Sequence, residues 1–473
     1  MDTNWLKGLS ASDIRSLYIS KQVSPVDVIK GYLERIELYD PYLHSYISVF
    51  KNDALRDAEK AERNFLNGID EGALQGIPIA VKDQFDMEGK ITTHGSSIYS
   101  QHCAQYTSTV IERIMQAGGI LLGKLNMTEF ASGAGDPYKY GDPPRNPWNL
   151  ELDPGSSSTG SGIAIAASLC MNAIGEDTGG SIRGPASANG IVGLRPTWGL
   201  VSRFGVGTLS WSMDAPGPMT RTVEDAARLL QVVSGYDQLD PNTSKRKVPN
   251  YMLLLKGDLK NIRIGVINEF VETGHTDLET IEAVNAAISK FRELGAQVSE
   301  VSLPLLAEVG SIRSAISGSD AAFVHRHLLR TRSDEYGRGL RSRLLSASLI
   351  PGTVYQKAIR IRAVVRQEWL KLFNEVDVLI SPTSLRPAGK IQYDEPVLTK
   401  ADAELKFGGN RGTTAPASFA GTPAMSVPCG FYSNQSPIGL QIMANSFRED
   451  LVFKVGHAYQ GMTDWHLKHP LLW

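Results

Sequence analysis

The sequence predicts an α/β layered protein, and three observations carry that prediction. The first 70 residues read as helical. From Gly72 onward, short apolar runs alternate with segments of helical period. The same alternation resumes at Ile262 and continues to Val301. Runs that switch repeatedly between the two periods point to helices packed on a sheet.

The elements follow in order. Ser24-Pro25 is a helix start, with serine as the cap, proline at the first helical position and Asp27 in the first turn. Val28, Ile29, Tyr32, Leu33 and Ile36 then form one apolar face. Asp53 to Phe65 is helix-prone but mostly charged, and is expected as a solvated surface helix. Ile77 to Val81 is a short apolar strand leading into Lys82-Asp83. Thr109 to Ala117 is expected as helix, Gly119 to Leu122 as strand, and Gly162 to Cys170 as a helix of small residues. Residues 235–261 are polar and turn-rich, and the basic triplet Lys245-Arg246-Lys247 within them reads as part of a solvated loop. Ile262 to Ile267 is a strand, Asp277 to Leu294 an amphipathic helix, and Gln297 to Val301, Val376 to Ile380 and Ala424 to Val427 are further strands.

The chain has 473 residues, a length that alone suggests about three domains of roughly 150 residues. Its 48 basic and 50 acidic side chains leave a net charge of −2, no footprint for nucleic acid or an anionic membrane surface. Cys103, Cys170 and Cys429 are odd in number and widely spaced, which argues against a disulfide framework or zinc site and fits a reducing compartment. They are expected as buried small hydrophobes. No signal peptide and no membrane-length apolar run is visible, so a cytoplasmic location is expected.

Two glycine- and serine-rich segments draw attention: Asp153-Pro154-Gly155-Ser156-Ser157-Ser158-Thr159-Gly160-Ser161-Gly162 and Gly175-Glu176-Asp177-Thr178-Gly179-Gly180-Ser181-Ile182-Arg183-Gly184-Pro185. Acyl transfer from an amide needs a nucleophile, a base that returns a proton to the leaving nitrogen, and donors for an oxyanion. Thr178-Gly179-Gly180-Ser181 offers consecutive backbone N–H groups with a serine at the end, and the glycines allow close approach of a carbonyl. A glycine turn whose serine only satisfies local hydrogen bonds accounts for the same residues more simply. The G-x-S-x-G elbow of α/β-hydrolases is absent. His325 and His327 stand two apart on an expected helix and point in different directions, so they do not make a metal pair. A lysine is the natural substitute for a histidine base, provided burial lowers its pKa. Lys82 follows an apolar strand; an ordinary strand-end lysine in water is the competing account. Phe204, Trp211 and Met213 are candidates for a hydrophobic pocket or for plain core packing.

These segments resemble the amidase-signature family, whose hallmark is a Gly/Ser-rich stretch followed by D-x-G-G-S-I-R. Asp177 to Arg183 matches that core, Gly76-Ile77-Pro78-Ile79-Ala80-Val81-Lys82-Asp83 resembles the family's lysine segment, and Ser157 stands 24 residues before Ser181, the family's relay spacing. Similar stretches run over roughly residues 5 to 460, among them Gly123 to Phe130, Asn146-Pro147-Trp148, Gly193 to Thr197, Asp377 to Thr383 and Gly421 to Pro428. The resemblance implies one domain spanning 1–473, with a large mixed, twisted β-sheet surrounded by helices, a helical segment over about 1–70 and the catalytic region over about 71–220. It implies an amidase, a hydrolase of linear C–N bonds. Ser181 would be the nucleophile, Ser157 (at a cis peptide) the relay and Lys82 the base. The N–H groups of Thr178, Gly179, Gly180 and Ser181 would hold the oxyanion, Ser158, Asp177 and Arg183 would support the loop, and Ala131 would line the acyl pocket. No metal or organic cofactor is implied. The expected substrate is a small amide, anilide or carbamate, hydrolysed by a monomer or homodimer. The alternative is the amidase component, or A subunit, of a glutamine-dependent tRNA amidotransferase. In those proteins glutamine follows the core arginine, whereas this chain has Gly184.

Overall fold

The helix starts are built from the residues that announce them. Ser24 Oγ accepts from the Asp27 N–H at 3.1 Å, and the Asp27 carboxylate accepts from the Ser24 N–H at 3.2 Å, closing a reciprocal cap. Helix Pro25–Leu43 then buries Val28, Ile29, Tyr32, Leu33 and Ile36, the predicted face. Helix Lys51–Leu66 is not wholly solvated as expected. It buries Ala54, Ala58 and Ala61, residues small enough to bring its backbone close to the core.

The computed structural model describes residues 3–133, 137–271, 276–391, 399 and 412–472. Its strands are β1 (Tyr46–Val49), β2 (Pro78–Lys82), β3 (Ile120–Leu125), β4 (Asn172–Glu176), β5 (Val192–Arg195), β6 (Pro216–Thr220), β7 (Arg263–Ile267), β8 (Gln297–Val301), β9 (Val378–Pro382), β10 (Ala424–Phe431) and β11 (Pro437–Ala444). Among the described residues they form one eleven-stranded sheet in the order β1-β3-β2-β4-β6-β5-β10-β11-β9-β7-β8. The β3-β2-β4 and β9-β7-β8 ladders are parallel, and antiparallel pairs join them. The sheet is therefore mixed, and helices surround it in a single α/β domain. Strands β2, β3, β4 and β9 are buried along their whole length, whereas β8, at the edge of the sheet, is largely exposed.

Several elements differ from the sequence reading. The small-residue helix runs over Thr159–Ala166, not Gly162 to Cys170. It stops where Ser168 takes a left-handed φ of 54° and the chain turns into β4. β6 has the unpromising sequence Pro216-Gly217-Pro218-Met219-Thr220. It survives in the sheet interior because β5 pairs only with Met219 and Thr220, so neither proline sits between two ladders. The stretch 235–261 is not simply solvated: it includes helix Tyr251–Leu254 and buries Asp240 in an ion pair with Arg203 at 3.1 Å, while Lys245, Arg246 and Lys247 are at least partly exposed. Cys170 and Cys429 are buried, but Cys103 is exposed; all three are free thiols. Among the described residues no helix is long and apolar enough to cross a membrane.

Candidate active site

Lys82 is the last residue of β2, and Glu176 the last of β4, its parallel neighbour. The two strand ends therefore deliver both side chains to one place, next to the Gly/Ser-rich turn that precedes helix Thr159–Ala166. Lys82 does not face water. It is fully buried, and its Nζ donates to Ser157 Oγ at 2.8 Å. Glu176 Oε2 lies 3.7 Å from the same Nζ. Burial pushes the Lys82 ammonium below the usual lysine range, against the opposing pull of Glu176, Asp214 and Asp177.

Ser157 follows a cis peptide from Ser156 and is buried. Ser158 ties this turn to the end of β4: its Oγ lies 3.2 Å from both the N and the O of Glu176, and its N–H donates to the Ser181 carbonyl at 3.2 Å. That last bond fastens the turn bearing Ser157 to the loop bearing Ser181.

The loop after β4 is held by Asp177. Its carboxylate accepts from the N–H groups of Gly180 at 2.8 Å and Ile182 at 3.2 Å, from Arg183 Nε at 3.1 Å and Nη2 at 3.0 Å, and from Arg195 Nη1 at 3.2 Å. Burial pushes Asp177 up, but the two guanidinium groups outweigh it and hold the carboxyl well below the usual range. Arg183 also donates to Gln441, Ser418 and the Thr414 carbonyl, which anchors the loop to the far half of the sheet. The Gly180 N–H is thus already engaged within the loop. Among the described residues, the N–H groups of Thr178, Gly179 and Ser181 have no protein acceptor.

Ser181 opens onto a cleft of about 330 Å³ whose lining includes Ala131, Ser156, Thr178, Gly179, Gly180 and Gly184. Arg313, Arg343 and Arg386 also line it, together with Asp153. Arg313 Nη1 donates to the Gly179 carbonyl at 3.2 Å, and Arg343 Nη1 to Ser132 Oγ at 3.3 Å. These arginines escaped the sequence reading because they lie more than 130 residues beyond Ser181, with no motif to mark them. Glu176 and Asp214 were also missed, although Glu176 directly precedes the matched core. The Phe204, Trp211 and Met213 group divides: Phe204 and Trp211 border a separate surface depression, while Met213 packs in a core with Ile316 and Phe419. His325 is buried and bonds Tyr336, and among the described residues no group of three or more His, Cys, Asp or Glu side chains is placed to hold a metal ion.

Comparison with known proteins places the sequence and the fold. The sequence matches the amidase family over residues 27–453. It is 38% identical to the A subunit of the glutamyl-tRNA(Gln) amidotransferase of Gloeobacter violaceus, over 98% of each chain. The solved structure of the corresponding protein of Thermotoga maritima superposes with a TM-score of 0.83 at 30% identity, covering 98% of each chain. The peptide amidase of Stenotrophomonas maltophilia superposes with a TM-score of 0.82 at 28% identity, covering 96% of this chain and 97% of that one. The chain therefore belongs to the amidase-signature family and is an amidase-type hydrolase acting on C–N bonds.

Proposed function

We propose that this chain releases ammonia from a small carboxamide that carries a carboxylate, as the glutamine-hydrolysing A subunit of a tRNA-dependent amidotransferase. One observation supports this substrate class above others: Arg313, Arg343 and Arg386 line the cleft that ends at Ser181, with Asp153 on its rim. Guanidinium groups suit a carboxylate, and an acidic side chain beside them suits an ammonium. The curated relatives carry the same implication in their names.

In this reading neutral Lys82 takes the proton of Ser157, which takes that of Ser181, and Ser181 Oγ attacks the amide carbon. The N–H groups of Thr178, Gly179 and Ser181 receive the oxyanion, each such donor contributing about 3 kcal/mol. Gly180 joins the hole as a conformational element, since its own N–H serves Asp177. The relay then runs backward to protonate the leaving nitrogen. Water resolves the acyl-enzyme by the same path. Ser158, Asp177 and Arg183 hold the loops in place, and Ala131 leaves room beside the acyl group.

A second reading keeps the chain as a stand-alone hydrolase of neutral amides, anilides or carbamates. Gly184 favours it, as does the similarity to a peptide amidase. The separating experiment measures ammonia from glutamine against product from anilides and carbamates, in the parent chain and in Arg343→Ala. Glutamine turnover with KM raised roughly tenfold or more in Arg343→Ala, the loss of about 1.4 kcal/mol of binding, supports the first reading. Turnover of neutral anilides alone, indifferent to Arg343→Ala, sinks it.

A further inference from the structure

Glu176 and Asp214 are buried carboxyl groups that the mechanism above does not use, and the hydrogens between them can be counted. Thr178 Oγ1 lies 3.0 Å from Glu176 Oε1 and 2.7 Å from Asp214 Oδ1. A hydroxyl has one proton to donate. It cannot satisfy two carboxylates, so one of the two acids must carry a proton and donate it to Thr178. Asp214 is provided for as an anion: its carboxylate accepts from the N–H groups of Leu209 at 2.9 Å and Ser210 at 2.9 Å. Among the described residues, no backbone N–H donates to the Glu176 carboxyl, and its Oε2 has no hydrogen-bond partner. Both residues are fully or almost fully buried.

We propose that Glu176 is a positioning residue that stands protonated in the working enzyme, its proton held by Thr178 and Asp214, and so leaves Lys82 neutral enough to serve as the base. The inference rests on the reading of Lys82 as that base. An ionised Glu176 at 3.7 Å would hold Lys82 as an ammonium, which has no lone pair to take a serine proton. With the proton on Glu176, the Thr178 hydroxyl is free to donate to Asp214, and the carboxyl presents only its Oε2 oxygen to Lys82. The electrostatics run the same way. Burial and the nearby Asp214 both push Glu176 upward, with Lys82 opposing; burial raises Asp214 as well, but the Thr178, Ser210 and Leu209 hydrogen bonds limit that rise. The other charged groups facing this cluster are Arg195, whose field reaches Glu176 and opposes its protonation, Asp177, bound to Arg183 and Arg195, and Arg203, whose field reaches Asp214.

The test is the pH profile of kcat/KM in Glu176→Gln, Asp214→Asn, the double variant and Lys82→Ala, each checked for folding by circular dichroism. Glutamine is a neutral stand-in for the protonated acid, so Glu176→Gln leaves the acid limb within about half a unit of the parent's, and a larger move to lower pH would overturn the proposal, because it would mean that Glu176 is ionised in the parent. Asp214→Asn lets Glu176 ionise, pins Lys82 as ammonium and moves the limb upward. The double variant returns the limb to the Glu176→Gln position, a rescue that mere structural damage from Asp214→Asn would not show. An infrared band of a protonated carboxyl present in the parent and lost in Glu176→Gln is the direct signature. Loss of turnover at every pH in folded Glu176→Gln would overturn the proposal, because it would make Glu176 an essential anion. So would an Asp214→Asn profile that does not move, or a double variant without rescue. Full turnover in Lys82→Ala would instead overturn the reading of the base, and the inference with it.

Discussion

Replacing Asp177 by asparagine removes one charge and almost no volume, so it isolates what that charge does. Arg183 and Arg195 are both fully buried and both bond the Asp177 carboxylate. In Asp177→Asn they lose their shared counter-charge, and the new amide nitrogen must face a donor already in place, either the Gly180 N–H or a guanidinium. Removing one partner of a buried ion pair costs about 3–5 kcal/mol. That is a large part of the roughly 5–15 kcal/mol by which a folded chain is stable. The expected result is an unfolding free energy from urea titration lower by that amount at pH 7, with turnover falling as well, because the same carboxylate sets the Gly180 and Ile182 amides. The effect has a pH signature. The folded-state pKa of Asp177 lies below its unfolded value of about 3.9, so its contribution is complete above that value and fades as pH falls toward the folded pKa. The parent and the variant should therefore converge in acid. A difference below about 1 kcal/mol at pH 7, or one that does not shrink below about pH 4, would refute the idea that this charge organises the loop.

The two glycines before Ser181 should respond differently to alanine. At Gly180, φ is +118° and a Cβ would meet Thr414 Oγ1 at 2.5 Å and Thr414 Cβ at 3.0 Å, so Gly180→Ala should lower both Tm and kcat. At Gly179 a Cβ meets the end of the Arg313 side chain, which can swing aside, so Gly179→Ala should lower Tm distinctly less; equal losses in a thermal scan would contradict this. Burial pushes His325 down to about 4, below its unfolded value of about 6.5. The unfolded chain therefore binds more protons between those values, and stability falls as pH drops through that window. His325→Phe should flatten this part of the stability curve, and a slope identical to the parent's in denaturant titrations from about pH 7 to 4 would show that His325 does not contribute.

Features that depend on neighbours in the chain were legible. The Ser24–Asp27 cap and the Pro25–Leu43 face need only local spacing, and they stand where the residues placed them. The apolar run before Lys82 became a buried strand for the same reason. β6 was hidden because its prolines forbid a generic strand, and only the limited reach of β5 makes them tolerable. Family spacing picked out Ser157, and the structure brings its hydroxyl to Lys82 across 75 residues of chain.

Local order along the chain was enough for the alternation that makes an α/β layer and for the helix starts set by caps, while the Lys82, Ser157 and Ser181 segments were picked out by their resemblance to a family. The rest of the chemistry came from the packing of distant segments. No local pattern says that Lys82 is buried or that Glu176 lies beside it; that follows from β2 and β4 ending side by side. Nor does any pattern announce that Arg313, Arg343 and Arg386, from distant parts of the chain, line the same cleft. Charge and desolvation act through space over a few ångströms, so a residue's acidity and its ligand are properties of the fold's neighbours, not of the chain's.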